Sequence, residues 1–154
     1  MKTIRLFFLL LCFCFSHQAF AQHVFPDVID NCYLDQFVYE TDEILAKLDN
    51  EKIIEVVTAS WDEKTKKNAE GILGFQVLVD NRGTSCLMSI RNETNIKTKK
   101  MNLTSSINDN LKWPRMQQKV SVIVVMEFKE GEITMKRMGT KDMKTLTEVG
   151  SEGN

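Results

Sequence analysis

The chain has 154 residues, with 20 Lys and Arg against 21 Asp and Glu and a formal charge of −1. That length suits one ordinary domain and excludes a multidomain enzyme. The balanced charge excludes a general nucleic-acid binder, which needs a clustered excess of bases.

The two ends differ. Residues 1–21 carry Lys2 and Arg5, no acid, an apolar run from Leu6 to Phe15, and small residues at Ala19 and Ala21. This is the pattern of a secretory signal peptide, and cleavage is expected after Ala21. Leu10 and Leu11, rather than small residues, stand before Cys12, which argues against a lipidated cysteine. The apolar run is short for a membrane anchor, and no later stretch approaches the roughly 18 apolar residues a span requires. Removing two bases and no acid takes the formal charge to −3. The sequence therefore predicts a soluble bacterial protein, periplasmic or secreted.

Export also simplifies the cysteines. Cys12 and Cys14 leave with the signal, so Cys32 and Cys86 remain in an oxidising compartment. They can form one intramolecular disulfide, worth about 4 kcal/mol in the chain-entropy model. Two buried thiols, or pairing with another chain, are the other readings. No Cys-x-x-Cys spacing suggests redox chemistry.

The predicted elements follow in order. Residues 22–34, with Pro26, read as an irregular lead-in. Leu34, Phe37, Val38, Thr41, Ile44, Leu45 and Leu48 recur at spacings of three and four, which predicts a helix from Asp35 to about Asn50. Lys52 to Ser60 is rich in β-branched residues and reads as a short strand, although Ile53, Val56 and Val57 fit a helix as well. Residues 61–70 form a charged turn or a loose helical stretch. Ile72 to Val79 and Thr84 to Arg91 are two strands joined by Asp80-Asn81-Arg82-Gly83, in which Gly83 supplies the positive φ of a hairpin. Alternation places Cys86, Met88 and Ile90 together on the core side of the second strand.

After a polar loop at 92–100, Leu103, Ile107 and Leu111 predict a second helix, ended by Trp113-Pro114. Val120 to Phe128 is apolar on both faces and reads as a central strand. Glu130-Gly131 turns the chain into Ile133 to Met138, a shorter, more polar strand suited to a sheet edge. Residues 139–154 read as a flexible tail. The order predicts an α+β fold: an antiparallel sheet of hairpins with two main helices packed on one face, within a single domain at 35–138.

The inventory for catalysis is thin. His23 is the only histidine outside the signal, no metal-ligand spacing is present, and Gly-x-Ser-x-Gly and phosphate-binding glycine loops are missing. Glu40, Asp42 and Glu43 read as a charged helix face rather than an acid and base pair. The expectation is a protein that is not an enzyme and that uses no cofactor or metal. Asn92-Glu-Thr94 and Asn102-Leu-Thr104 match glycosylation acceptors, a pattern that arises often by chance.

Gly74 to Gly83, the helix leading into Leu111-Lys112-Trp113-Pro114, and Val120 to Phe128 together make the stretch 71–137 resemble the C-terminal domain of the TonB energy-transducer family. The chain departs from that family in having a cleavable signal in place of an anchor and no Pro-rich spanning segment. Arg115-Met116-Gln117-Gln118 stands where a glycine usually follows the tryptophan. The resemblance implies recognition of an extended peptide added to an exposed sheet edge. The implied partner-binding edge is Ile133, Thr134, Met135, Lys136 and Arg137, the partner an extended segment of an envelope protein, and a proline at Thr134 is expected to abolish binding. The alternative is a secreted structural or small-ligand-binding domain with a pocket between the first helix and the sheet near Trp61.

Overall fold

A computed structural model describes residues 22–29 and 31–150 of the chain. The expected signal peptide at 1–21, with its expected cleavage site, and residues 151–154 of the tail lie outside the described residues.

The frame is a sheet whose three long central strands come from the most apolar runs. Strands β1 (Asp27–Val28), β2 (Val38–Tyr39), β3 (Gly71–Val79), β4 (Ser85–Thr94), β5 (Val120–Lys129), β6 (Glu132–Gly139) and β7 (Thr147–Glu148) make up one seven-stranded sheet among the described residues. The path is β1-β4-β3-β5-β6-β7, antiparallel throughout. β2 adds a short parallel pairing to the start of β5, with Val38 opposite Val120. β3 lies between β4 and β5 and is buried from Leu73 to Val79, as a strand covered on both faces must be. The expected hairpins are present. Asp80 closes the first by accepting from the backbone N–H of Arg82 (2.9 Å) and Thr84 (2.8 Å). Gly83 has φ +85°, and a Cβ there would lie 2.0 Å from the Trp113 carbonyl oxygen, so both conformation and space demand glycine.

The helices cover one face. α1 runs Asn50–Thr58 and buries Ile53, Val56 and Val57. It is followed by α2 (Glu63–Lys67), α3 (Thr98–Met101) and α4 (Leu103–Ser105), the last passing into a π-helical turn at Ser106–Asn110. Two expectations are corrected here. The segment predicted as a strand at 52–60 is the helix, since the three-and-four spacing of Ile53, Val56 and Val57 lets all three reach the core. The segment predicted as a helix at 35–50 is instead β2 followed by an irregular strap, 40–49. The second predicted helix falls where expected but is broken into short pieces, the last widened into a π-turn, rather than one regular helix.

The core between helices and sheet contains Leu73, Phe75, Val77, Val122, Val124 and Phe128. Trp61 closes one end, its ring 5.3 Å from that of Phe128 and its indole N–H on the Met101 carbonyl. Trp113 closes the other, donating to Ser85 Oγ at 2.8 Å. Its backbone N–H bonds the Gly83 carbonyl at 2.9 Å, which docks the Trp-Pro segment on the β3–β4 turn.

The lead-in covers the opposite face. The Phe25 ring lies against Gly74, where a Cβ would come within 2.7 Å of it. Beneath it is a buried polar network: Gln76 donates to the Gln22 carbonyl (3.0 Å) and to Ser121 Oγ (2.9 Å), and accepts from Val24 N–H (2.8 Å) and Ser89 Oγ (2.8 Å). All four hydrogen-bonding positions of the buried amide are thereby filled, which removes the cost of burying it. Cys32 and Cys86 form a disulfide across 54 residues. The expected orientation of Cys86 is reversed. A β-bulge between Gln76 and Val77 shifts the register, so Cys86 pairs with Leu78 on the lead-in side while Ser85 points to the core.

The tail also departs from expectation. Thr140 and Val149 are buried, Val149 N–H bonds the Arg137 carbonyl at 2.9 Å, and β7 pairs with Met138 and Gly139. The folded unit therefore spans both the lead-in and the described part of the tail.

Candidate functional site

A sheet of this kind has two lateral edges, and they are treated differently. The β4 edge is covered from Thr84 to Ile90. Leu87 N–H bonds Asn108 Oδ1 at 2.7 Å, Met88 accepts from Ile29 N–H at 2.8 Å, β1 pairs with Ser89 and Ile90, and Thr84 bridges to Lys112. The turn after β4 folds back on it through Asn92 Nδ2 and the Ile96 carbonyl.

The β6 edge is closed at one end only. Among the described residues no strand pairs with β6 before Met138 on the side away from β5. The acceptance of Val149 N–H by the Arg137 carbonyl shows that Arg137 turns its backbone outward. Strand alternation then turns the backbone groups of Ile133 and Met135 outward, and those of Thr134 and Lys136 toward β5. A short row of N–H and C=O groups at Ile133 and Met135 is thus open to another chain, the usual template for strand addition. The hairpin turn leading into this row uses Glu130 (φ +54°) and Gly131 (φ +82°), and Glu130 N–H is held by Glu70 Oε1 at 3.1 Å.

The side chains divide by face. Ile133 and Met135 are half-buried and pack against the core cluster. Glu132, Thr134 and Lys136 are exposed on the other face beside Glu127 and Lys129 of β5, where Glu127 is opposite Thr134 and Lys129 opposite Glu132. Glu127, Lys129, Glu130, Glu132 and Thr134 line a shallow surface depression at this end of the sheet. Glu127 and Lys129 were not singled out from the sequence, although their alternation with Met126 and Phe128 carries the signal. Lys136 forms an exposed ion pair with Glu148 at 2.7 Å, and the hydrogen bond and charge of that carboxylate raise its pKa.

Arg137 has another role. Its side chain is 2% exposed and turns into the core, where Nη2 meets both oxygens of Glu40 at 2.6 Å and the Ala46 carbonyl at 3.1 Å. Glu40 Oε1 in turn accepts from the N–H groups of Leu45 and Ala46. The guanidinium stands 5.2 Å from the centre of the Trp113 ring. The residue predicted as a partner contact therefore ties the strap to the sheet, and only its backbone reaches the edge. Glu40, predicted on a charged helix face, is fully buried in that pair.

Near Trp61, where the alternative reading places a small-ligand pocket, the indole is 5% exposed and packed on Phe128. Among the described residues no three or more His, Cys, Asp and Glu side chains are grouped to hold a metal, and no helix is long and apolar enough to cross a membrane. No protein-family model, curated protein or solved structure matches this chain.

Proposed function

We propose that the protein is an exported, non-catalytic interaction module that captures an extended segment of an envelope protein along the open part of β6. One observation carries this reading: β4 is covered from Thr84 to Ile90 by β1 and the 108–112 segment, whereas β6, among the described residues, leaves the backbone of Ile133 and Met135 unpaired by strand. Native sheets normally cover, twist or charge such an edge. Here the adjoining Ile133 and Met135 side chains also offer apolar surface to alternate residues of an incoming strand. The TonB-like reading of 71–137 belongs to this proposal. So does the periplasmic or secreted location, with which the Cys32–Cys86 disulfide is compatible.

Strand polarity fixes the test. Thr134 directs its N–H at β5, so a proline there would break the sheet itself; the informative position is Met135, whose N–H points outward. Met135→Pro is expected to keep the disulfide and the near-ultraviolet spectrum while binding of the envelope segment is lost. Undiminished binding by a folded Met135→Pro protein would reject the edge.

A further inference from the structure

The lead-in begins in an unusual environment. Gln22 borders a cleft formed with Leu34, Phe37, Tyr39 and Met143, in which Asp35 also takes part. Its carbonyl is fixed from two directions, by Gln76 Nε2 at 3.0 Å and by the Tyr39 hydroxyl at 3.1 Å. Two residues on, Val24 N–H is held as well, by Gln76 Oε1. One buried side-chain amide thus reads the backbone of residues 22 and 24 as a neighbouring strand would.

Cleavage after Ala21 would put the α-amine of Gln22 at the mouth of this cleft. An α-ammonium there would find poor company. Asp35, the carboxylate lining the cleft, is already paired with Lys119, and Lys119 in turn stands 4.7 Å over the Tyr33 ring, so a cation is already in place. The remaining walls are Gln36 and the largely apolar Leu34, Phe37, Tyr39 and Met143. A charge near such surfaces is stabilised only by pairing or water.

We propose that Gln22 is a modification site: as the first residue of the exported chain it closes on itself to a pyroglutamyl lactam. The α-amine nitrogen attacks the side-chain Cδ, a new C–N bond forms, and the bond from Cδ to the side-chain amide nitrogen breaks. The α-ammonium first gives one proton to water; after attack the nitrogen passes a second to the departing NH2, which leaves as ammonia and takes up the first proton as ammonium, and no electrons are exchanged. The product is a neutral ring whose exocyclic carbonyl is the same Gln22 carbonyl that Gln76 and Tyr39 hold, so closure sacrifices none of these hydrogen bonds. The lactam removes the terminal charge and leaves an apolar ring to sit against the cleft walls. An aminopeptidase also loses the free amine it needs.

This inference rests on the export reading, and intact-mass and amino-terminal analysis of the protein recovered from an exporting bacterial host separates the two. The expected product begins at residue 22, is lighter by one ammonia than the unmodified chain, gives no residue on sequential degradation, and resists aminopeptidase. Gln22→Ser keeps the backbone carbonyl and cannot close; it should be exported with its disulfide, give a readable first residue and be trimmed from that end. A chain that begins at Gln22 with a free amine overturns the modification and leaves export standing. A chain that retains Met1 overturns both, and one beginning at any other residue overturns the lactam.

Discussion

Arg137 and Glu40 are separated by 97 residues of chain and meet with both oxygens of the carboxylate 2.6 Å from one guanidinium nitrogen, the two side chains 2% and 0% exposed. The pair joins the outermost long strand to the strap that covers its core face. Among the described residues, Arg137 Nε and Nη1 are buried without a hydrogen-bond partner, which marks the pair as sensitive to the loss of either member. Replacing one partner of a buried ion pair strands the other charge, at about 3–5 kcal/mol. Arg137→Met is therefore expected to lower the urea midpoint by a corresponding amount. Adding Glu40→Gln should recover part of the loss, because the Gln side-chain oxygen can still accept from Leu45 and Ala46 without carrying a charge. No recovery in the double variant would show that the ionic contact is not what Arg137 supplies.

The Cys32–Cys86 bridge closes a loop across a sequence separation of 54. The chain-entropy model gives about 4 kcal/mol for a loop of that size. Cys32→Ser with Cys86→Ser is expected to reduce unfolding free energy on that scale. Hydrogen exchange should show where the loss is felt: amides of the lead-in at 22–39 should lose protection first, while those of β3 and β5 keep theirs. Uniform loss across the sheet would mean that the lead-in and the sheet unfold as one unit.

Gln76 fills all its hydrogen-bonding positions out of contact with water. Gln76→Leu retains approximate size and leaves Ser121, Ser89, Val24 N–H and the Gln22 carbonyl short of a partner. Each buried polar group left unsatisfied costs about 1–3 kcal/mol. A loss of several kcal/mol in chemical denaturation, with accelerated exchange at Val24, is the expected result. A near-neutral Gln76→Leu would mean that water replaces the amide on this face.

Tyr39 sets a pH dependence. Burial pushes its phenol up from 10.0 to about 12, with the neighbouring Gln76 amide pulling the other way. The unfolded chain therefore loses this proton first as pH rises. The stabilisation is fully present below pH 10 and is lost between 10 and about 12. Denaturant midpoints measured across that window for the wild type and Tyr39→Phe should converge as pH rises; parallel curves would contradict the assignment.

How far the sequence could be read depended on which interactions define each element. β3, β5, β6 and the Asp80 to Gly83 hairpin carry their own signals in alternation and turn chemistry, and they appear where expected. The 35–50 segment shows the opposite case. Its apolar spacing is helical, but the chain is held by long-range contacts, Val38 against Val120 and Glu40 against Arg137, that local periodicity does not encode. α1 was misread as a strand because β-branched residues are poor local evidence when burial supplies the stabilisation. The bulge at Gln76 and Val77 inverted the face of Cys86, since one extra residue reverses an alternation. At the candidate edge the strand and its exposure were legible. The inward turn of Arg137 and the closure of the far end by Val149 were not, because both depend on residues distant in sequence.

The most direct test of strand capture at β6 is photocrosslinking in the exporting cell from a reactive residue placed at Thr134, which is exposed and lies within reach of a strand added beside Met135. The account expects one envelope protein to be trapped through an extended segment, with the crosslink lost when Met135→Pro is added. Exported, disulfide-bonded protein that yields no specific crosslink, or a crosslink unaffected by the proline, would contradict it.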